Sequence, residues 1–506
     1  MISTLRLVSR LRTSSGCFVC RKRRKKCDES TPRCAGCVRN NFKCVWPAPE
    51  SVGVKDASST ATITISPSPA DSNSPFADDS SKVGRVRSPM YGLPWIRTSM
   101  DHYLSIYFRD RFMTGVFRPN AHPAFQDPGY LILVSAQMST TMGAFLATAA
   151  MHASWANPKF RRPAIRYYNS VLAGLRKSIA EGAAKGGEDW LLLATNLLVL
   201  FEINKGWNTG HNPLGAAPHL DGLAHILKIR IGEESKKPQE FVHLQNKISA
   251  ESFVLWSSFL SLFYSEIDRV GDTINWNDLN IYLDRDVFPD ASISSNSPLL
   301  VLDWKLHGTI FEISRLSHKV PLETSSYVRG RELETELIRR EKDVRFEIPN
   351  YASPGQTQDV LQQILLYILA TQILVFKTLR PETRTCNPRI REIVTEAMAA
   401  ISRIEIEAKT NCGPYFCWPL AILSCAVESK ANISSLRDAL KKVWLVSYCG
   451  EVQRVRNATE VFWQKVDVEK GEDDFNLLDI LIYQGGMFKH PSMVTEWGKS
   501  LYDRNC

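Results

Sequence analysis

We expect the sequence to lack an apolar run long enough to span a bilayer. Its most hydrophobic stretch, Ile364 to Phe376, holds about 13 residues and is interrupted by Gln372, whereas a membrane-spanning helix needs about 20. We therefore expect a buried core helix there and no membrane partner. The HExxH, P-loop, GxSxG and GxGxxG patterns are also missing from the chain, which favours a protein that is not an enzyme.

Acidic side chains are almost missing from the first 46 positions, which hold 12 Lys and Arg against only Asp28 and Glu29. The other 460 residues hold 50 basic and 51 acidic side chains, so the net charge of +9 comes from this first segment. A basic block of this kind is typical of a surface that binds a polyanion.

Composition divides the chain into three predicted regions. Residues 1–46 are basic and rich in cysteine, and residues 47–90 hold ten Ser and six Pro. This second region has too few large apolar residues to offset its chain entropy, and we predict a disordered linker. From residue 91 to 506, apolar residues recur every three or four positions and alternating patterns are scarce, which predicts one large all-α domain. The clearest predicted helices are Met142–Ala156, Ala164–Glu181, Trp190–Ile203, Phe253–Ile267, Val360–Leu379, Ile390–Ile406, Trp418–Ser429 and Glu451–Lys465.

Half of the 12 cysteines lie within one window of 28 residues, and the other six lie in the last quarter of the chain. The spacing in the window is C-x2-C-x6-C-x6-C-x2-C-x6-C, in which C-x2-C-x6-C occurs twice. No histidine precedes His102, whereas RING- or LIM-like zinc sites often include His and space their pairs differently. Such a dense window in a long chain favours a metal site over a disulfide framework. The six candidate ligands are Cys17, Cys20, Cys27, Cys34, Cys37 and Cys44.

Ligand counting favours two zinc ions. Zinc prefers four tetrahedral ligands, and thiolates are among its best. One ion would leave two of the six cysteines unused, whereas two ions need eight coordination positions. Six thiolates supply eight positions if two of them bridge both metals, and the internal repeat makes Cys17 and Cys34 the natural bridges. The window is too small to fold on a hydrophobic core alone, and metal binding would supply the missing free energy.

The window resembles the fungal zinc binuclear cluster family, the galactose-regulator type of DNA-binding domain. Beyond the cysteines, the basic run Arg21–Lys26, Asp28 and Pro32 stand where the family has them. In that family the first and fourth cysteines bridge, which agrees with the symmetry argument. The resemblance implies that one zinc ion is held by Cys17, Cys20, Cys27 and Cys34, and the other by Cys17, Cys34, Cys37 and Cys44.

The same resemblance implies how the domain would bind double-stranded DNA. The family's basic run is a short helix in the major groove, and the carry-over makes Arg23 and Arg24 the residues that contact bases in CGG-type sites. The expected phosphate contacts are Arg21, Lys22, Lys25, Lys26, Arg39 and Lys43. The run also fits a nuclear localisation signal, and we expect both roles together. Residues 1–15 have the composition of a mitochondrial transit peptide, but we favour a basic arm that extends the DNA-binding face.

The large domain resembles, more weakly, the fungal-specific regulatory domain that follows the cluster in one branch of the family. The resemblance depends on short patterns: Tyr167-Tyr168, Pro218–Gly222, Cys417–Leu420 and Val461–Trp463. It implies a nuclear regulator of RNA polymerase II genes, with the transcription machinery and a small-molecule effector as partners. The alternative class is a zinc-dependent scaffold or adaptor that binds protein or RNA.

Many relatives form dimers through a coiled coil just after the cluster. Here prolines interrupt that segment and no heptads occur before Met100. We therefore expect either binding as a monomer or dimerisation through the helical domain.

Overall fold

The computed structural model describes residues 17–23, 27–40, 42–44, 46, 93–205, 215–236, 242–292, 294–350, 356–404, 413–468 and 476–490. Contacts between residues divide the chain into two units, residues 1–85 and residues 86–506. The predicted linker at residues 47–90 and the basic arm at residues 1–15 lie outside the described residues.

The described residues of the first unit form two short helices, α1 (Phe18–Lys22) and α2 (Ala35–Arg39). The buried core among these residues consists of five cysteines, against which Val19, Cys44 and Trp46 pack while partly exposed. Five residues of this size bury far too little apolar surface to stabilise a fold. The helices therefore depend on the sulfur atoms between them.

The second unit is entirely helical over the residues that the structure describes, which confirms the predicted fold class. Short 3-10 segments and one π-helical turn, Phe108–Phe112, connect several of its helices. The α-helices are α3 (Ser99–Tyr107), α4 (Pro123–Gln126), α5 (Gly129–Gln137), α6 (Ser139–Ala153), α7 (Arg161–Ala180), α8 (Asp189–Asn204), α9 (Ala216–Lys236), α10 (Leu244–Phe263), α11 (Val270–Thr273), α12 (Asn280–Leu283), α13 (Trp304–Ser317), α14 (Thr324–Asn350), α15 (Gln356–Leu379), α16 (Pro388–Arg403), α17 (Gly413–Ser424), α18 (Lys430–Ser447) and α19 (Gly450–Val468).

Helix α10 lies at the centre of the core. Every residue from Gln245 to Phe263 is buried, which is typical of a helix covered on all sides. Its buried charges are paired: Lys247 Nζ lies 3.8 Å from Glu251 Oε1 and donates to the carbonyl of Leu283 at 2.7 Å. Neighbouring helices α8, α9 and α13 contact α10 directly.

Helix α15 is longer than the apolar stretch that we identified in the sequence. Its segment Asp359–Leu379 is long and apolar enough to cross a membrane by length and composition, so the expectation that no such stretch exists was wrong. However, 78% of that segment's most apolar window is buried inside the helical unit. Helices α13, α14, α16 and α17 contact it, and α15 is a core helix as predicted.

Candidate metal centre and nucleic-acid interface

Six cysteine sulfur atoms converge between α1 and α2. They form two groups of four, Cys17, Cys20, Cys27 and Cys34 in one and Cys17, Cys34, Cys37 and Cys44 in the other, and the atoms of each group all lie within 4.8 Å of one another. Cys17 and Cys34 belong to both groups, and their sulfur atoms are 3.7 Å apart. These are the two groups that the sequence analysis expected.

The sulfur separations fit zinc. A tetrahedral ion with zinc–sulfur bonds of about 2.3 Å has sulfur atoms about 3.8 Å apart. The observed separations are 3.7 Å for Cys17 to Cys37 and 3.5 Å for Cys20 to Cys34. The donor set is entirely sulfur, which zinc accepts readily and which magnesium and calcium do not.

Helical geometry brings each cysteine pair together. Cys17 directly precedes α1 and Cys20 lies within it, while Cys34 directly precedes α2 and Cys37 lies within it. Residues three apart at the start of a helix share one face. Backbone N–H groups add to this arrangement: Cys20 donates to Cys17 Sγ at 3.4 Å, and Cys34 donates to Cys44 Sγ at 3.5 Å.

The sulfur atoms are shielded from water. Cys17, Cys34 and Cys37 are fully buried and Cys20 is nearly so. Burial, followed by hydrogen bonds from neighbouring thiols, raises the pKa of Cys20 to about 12. Buried thiolates therefore need a cation, and metal binding would release their protons.

The loop between the two halves is closed by Asp28. Its carboxylate accepts the backbone N–H of Ala35 at 3.1 Å and the hydroxyl of Ser30 at 2.8 Å. The Ser30 hydroxyl and the Ala35 N–H together lower the pKa of Asp28. This carboxylate joins the loop to the start of α2, a contact that the family position of Asp28 alone does not predict.

The predicted DNA-contacting residues are only partly described. Arg23 directly follows α1 and is exposed, and Arg39 and Lys43 are exposed at and beyond the end of α2. Arg24, Lys25 and Lys26 lie outside the described residues, as do the side chains of Arg21 and Lys22.

Phe42 contacts one of these residues and was missed by the sequence analysis. The guanidinium carbon of Arg23 lies 4.3 Å from the centre of the Phe42 ring, within the range of a cation–π interaction. The carbonyl of Phe42 in turn accepts a hydrogen bond from Arg33 Nη2 at 3.0 Å. The segment after α2 therefore supports the cation that follows α1.

Comparisons with known proteins match both units. The family described as the fungal Zn(2)-Cys(6) binuclear cluster domain matches residues 15–51, and the family described as the fungal specific transcription factor domain matches residues 101–485. No solved structure matches the chain significantly.

Curated relatives match over shorter stretches. Transcription factor lfc1 of Flammulina velutipes is 35% identical over 109 residues, 19% of this chain and 37% of that protein. Zinc cluster transcription factor CZF1 of Candida albicans is 47% identical over 38 residues, 8% of this chain and 10% of that protein. The Zn(2)-C6 fungal-type transcription factor afumD of Aspergillus fumigatus is 38% identical over 61 residues, 12% of this chain and 16% of that protein.

The chain thus spans little more than a third of the length of transcription factor lfc1 and less of the other two relatives. The family match, in contrast, extends through most of the helical unit, and the cluster domain found here binds two zinc ions. The chain belongs to the fungal zinc cluster transcription factors.

Proposed function

We propose that this protein is a DNA-binding transcriptional regulator that binds CGG-type sites in double-stranded DNA through its zinc cluster and acts in the nucleus on genes of RNA polymerase II. The observation that carries the proposal is the basic run of six residues between the second and third cysteines, Arg21–Lys26. The first two residues of the run, Arg21 and Lys22, are the last two residues of α1. The first residue of α1 directly follows Cys17 of the sulfur centre. The metal centre would therefore fix the direction in which this helix meets DNA.

We assign the zinc ligands from the two sulfur groups. Cys20 and Cys27 would complete the first ion and Cys37 and Cys44 the second, with Cys17 and Cys34 shared. The separations near 3.7 Å and the burial of the shared sulfur atoms support this assignment. Two zinc ions and six thiolates carry a charge of −2, which the surrounding cations would neutralise.

Arg23 and Arg24 are the proposed base-reading residues. Arginine donates two hydrogen bonds to O6 and N7 of guanine, which suits a CGG triplet. The phosphate contacts would come from the other cations of the run together with Arg39 and Lys43, which position the domain without reading sequence. The exposure of Arg23, Arg39 and Lys43 supports their availability to DNA.

The helical unit would regulate this activity through the transcription machinery and a small-molecule effector. Binding as a monomer, or dimerisation through the helical unit, remains our prediction for the assembly on DNA. Sedimentation of the full chain with a duplex that holds one CGG site would distinguish the two.

Site selection from random duplex DNA by the full chain in zinc tests the proposal. We expect enrichment of CGG-containing sites. Arg24→Ala should then weaken binding to the selected site by roughly 1–3 kcal/mol and leave binding to scrambled DNA almost unchanged. The matched control Lys43→Ala should weaken both duplexes equally. Equal losses on both duplexes for Arg24→Ala would exclude base reading at that position, and no enrichment would favour a scaffold that binds protein or RNA.

A further inference from the structure

A cavity lies between α8 and α10 in the helical unit. Its walls are one face of α8, with residues such as Leu193, Leu197 and Leu200, and the facing side of α10, including Trp256. The segment 108–117 covers one side, and the turn between α18 and α19 forms another. The empty space, including its mouth, is about 850 Å³.

The walls of the cavity carry no formal charge. Among the described residues that line it there is no Asp, Glu, Lys or Arg. His152 is the one titratable base on the walls, and burial lowers its pKa to about 4, so it is neutral at pH 7. A charged occupant would lose its hydration here without finding a counter-ion, which is costly.

Two polar side chains that line the cavity, Asn196 on α8 and Ser252 on α10, are hydrogen-bonded to each other. Asn196 is 5% exposed and Ser252 is 2% exposed, and both line the cavity. The Ser252 hydroxyl donates to Asn196 Oδ1 at 2.7 Å. Among the described residues, Asn196 makes no hydrogen bond through Nδ2. Because Asn196 lines the cavity, its amide N–H groups are available to an occupant.

The cavity has room for one substituted aromatic ring, because its empty space lies within the range of about 300–1,000 Å³ that small-molecule sites have. Phe108, Phe112 and Trp256 offer aromatic contacts to such a ring.

We propose that this cavity binds a neutral, largely apolar small molecule that carries one carbonyl or hydroxyl oxygen, which accepts a hydrogen bond from Asn196. The inference deepens the proposed function and rests on it in one respect, that the helical unit is the regulatory part of the chain.

The position of the cavity suits a regulatory ligand. His152 on α6 is hydrogen-bonded to the Tyr107 hydroxyl at 2.8 Å and to the Ser447 carbonyl at 3.1 Å. Ser447 and Cys449 line the cavity at the turn between α18 and α19. An occupant would therefore contact the early helices and the turn between α18 and α19 at the same time.

Three small probes of one shape test the ligand class on the full, zinc-loaded chain. Acetophenone is neutral with one acceptor, α-methylstyrene has the same shape without the oxygen, and benzoate is charged. We expect acetophenone to bind with a Kd of about 0.1–1 mM and roughly 3- to 10-fold more tightly than α-methylstyrene. Benzoate should not bind in the same concentration range. Ligand-observed NMR titration measures all three.

Variants locate the binding. Asn196→Leu should remove the preference for acetophenone and keep α-methylstyrene binding. Leu200→Trp should fill the cavity and abolish binding of both neutral probes, whereas the control Leu445→Trp, at an exposed position of α18 outside the cavity, should not.

Three results would overturn the inference: no binding of either neutral probe to the folded wild-type chain, equal binding of benzoate, or binding that Leu200→Trp leaves unchanged. DNA binding by the same preparation keeps the two proposals apart. Specific DNA binding without probe binding refutes the cavity assignment alone, and probe binding without DNA specificity refutes the proposed DNA site alone.

Discussion

Replacing a shared sulfur should affect both zinc ions, whereas replacing an unshared sulfur should affect one. Cys34 belongs to both sulfur groups and Cys20 to only one. Cys34→Ala therefore leaves three ligands at each ion, and Cys20→Ala leaves three at one ion and four at the other. The two variants remove the same chemical group from the same buried centre, so each is a control for the other.

The size of the effect follows from the zinc–sulfur bonds. Structural zinc contributes roughly 10–16 kcal/mol to zinc-finger peptides, or about 2.5–4 kcal/mol for each of four ligands. One lost bond should then weaken an ion by roughly 10²–10³-fold. Cys34→Ala should impose this loss on both ions and Cys20→Ala on one.

Native mass spectrometry during titration with a chelator counts the ions that remain. We expect two zinc ions in the wild-type chain and in the control Cys425→Ala, whose thiol is buried in the helical unit. Cys20→Ala should lose one ion at low chelator and the other much later, while Cys34→Ala should lose both at low chelator. A Cys34→Ala chain that keeps one ion as tightly as Cys20→Ala would refute the sharing of this sulfur.

Phe42→Ala should remove the ring contact of Arg23 and weaken binding to a CGG duplex by about 0.5–1 kcal/mol. Phe18→Ala, at another exposed phenylalanine of the cluster, is the control in a fluorescence anisotropy titration. Lys43→Ala should reduce the slope of log K against log salt by about one, and an unchanged slope would argue against a phosphate contact. Burial lowers the pKa of His307 to about 3. Below about pH 6.5 this histidine is therefore protonated in the unfolded chain and stays neutral in the folded chain. Stability is therefore lost as the pH falls, by about 2 kcal/mol at this residue between pH 7 and 5. The free energy of unfolding of His307→Gln, measured with urea, should lack this part of the pH dependence. If that free energy fell between pH 7 and 5 by as much in the variant as in the wild type, the assignment would be contradicted.

The helical class and the metal site could be predicted because local patterns determine them. Cysteine spacing predicted two zinc ions with two shared cysteines, and the family resemblance implied the full ligand groups. Helices with apolar faces were predicted within a few residues, as at Trp190–Ile203 against the observed Asp189–Asn204. Helix α14 was missed. It is rich in charge and its Arg and Glu side chains pair along its surface, as Arg339 does with Glu336, so it shows little apolar periodicity.

Contacts between distant segments could not be predicted. The core helix α10 was placed at Phe253–Ile267, whereas it begins at Leu244. Its first turns carry Lys247 and Glu251, and charged residues in a sequence are typical of a surface. In the structure, however, the Glu251 carboxylate accepts the backbone N–H groups of Leu299 and Leu300. The cavity also leaves no local pattern, because it arises where the faces of two helices do not meet.

In the first unit, the cysteines that stabilise the fold are different residues from those proposed to contact DNA. The unit's five fully or nearly buried residues are all cysteines, and the proposed DNA-contacting residues that the structure describes, Arg23, Arg39 and Lys43, are all exposed. Exposed substitutions usually change stability by less than about 0.5 kcal/mol. Target preference can therefore diverge among descendants of this chain by changes in α1 and the residues that follow it, while the six cysteines keep each intermediate folded.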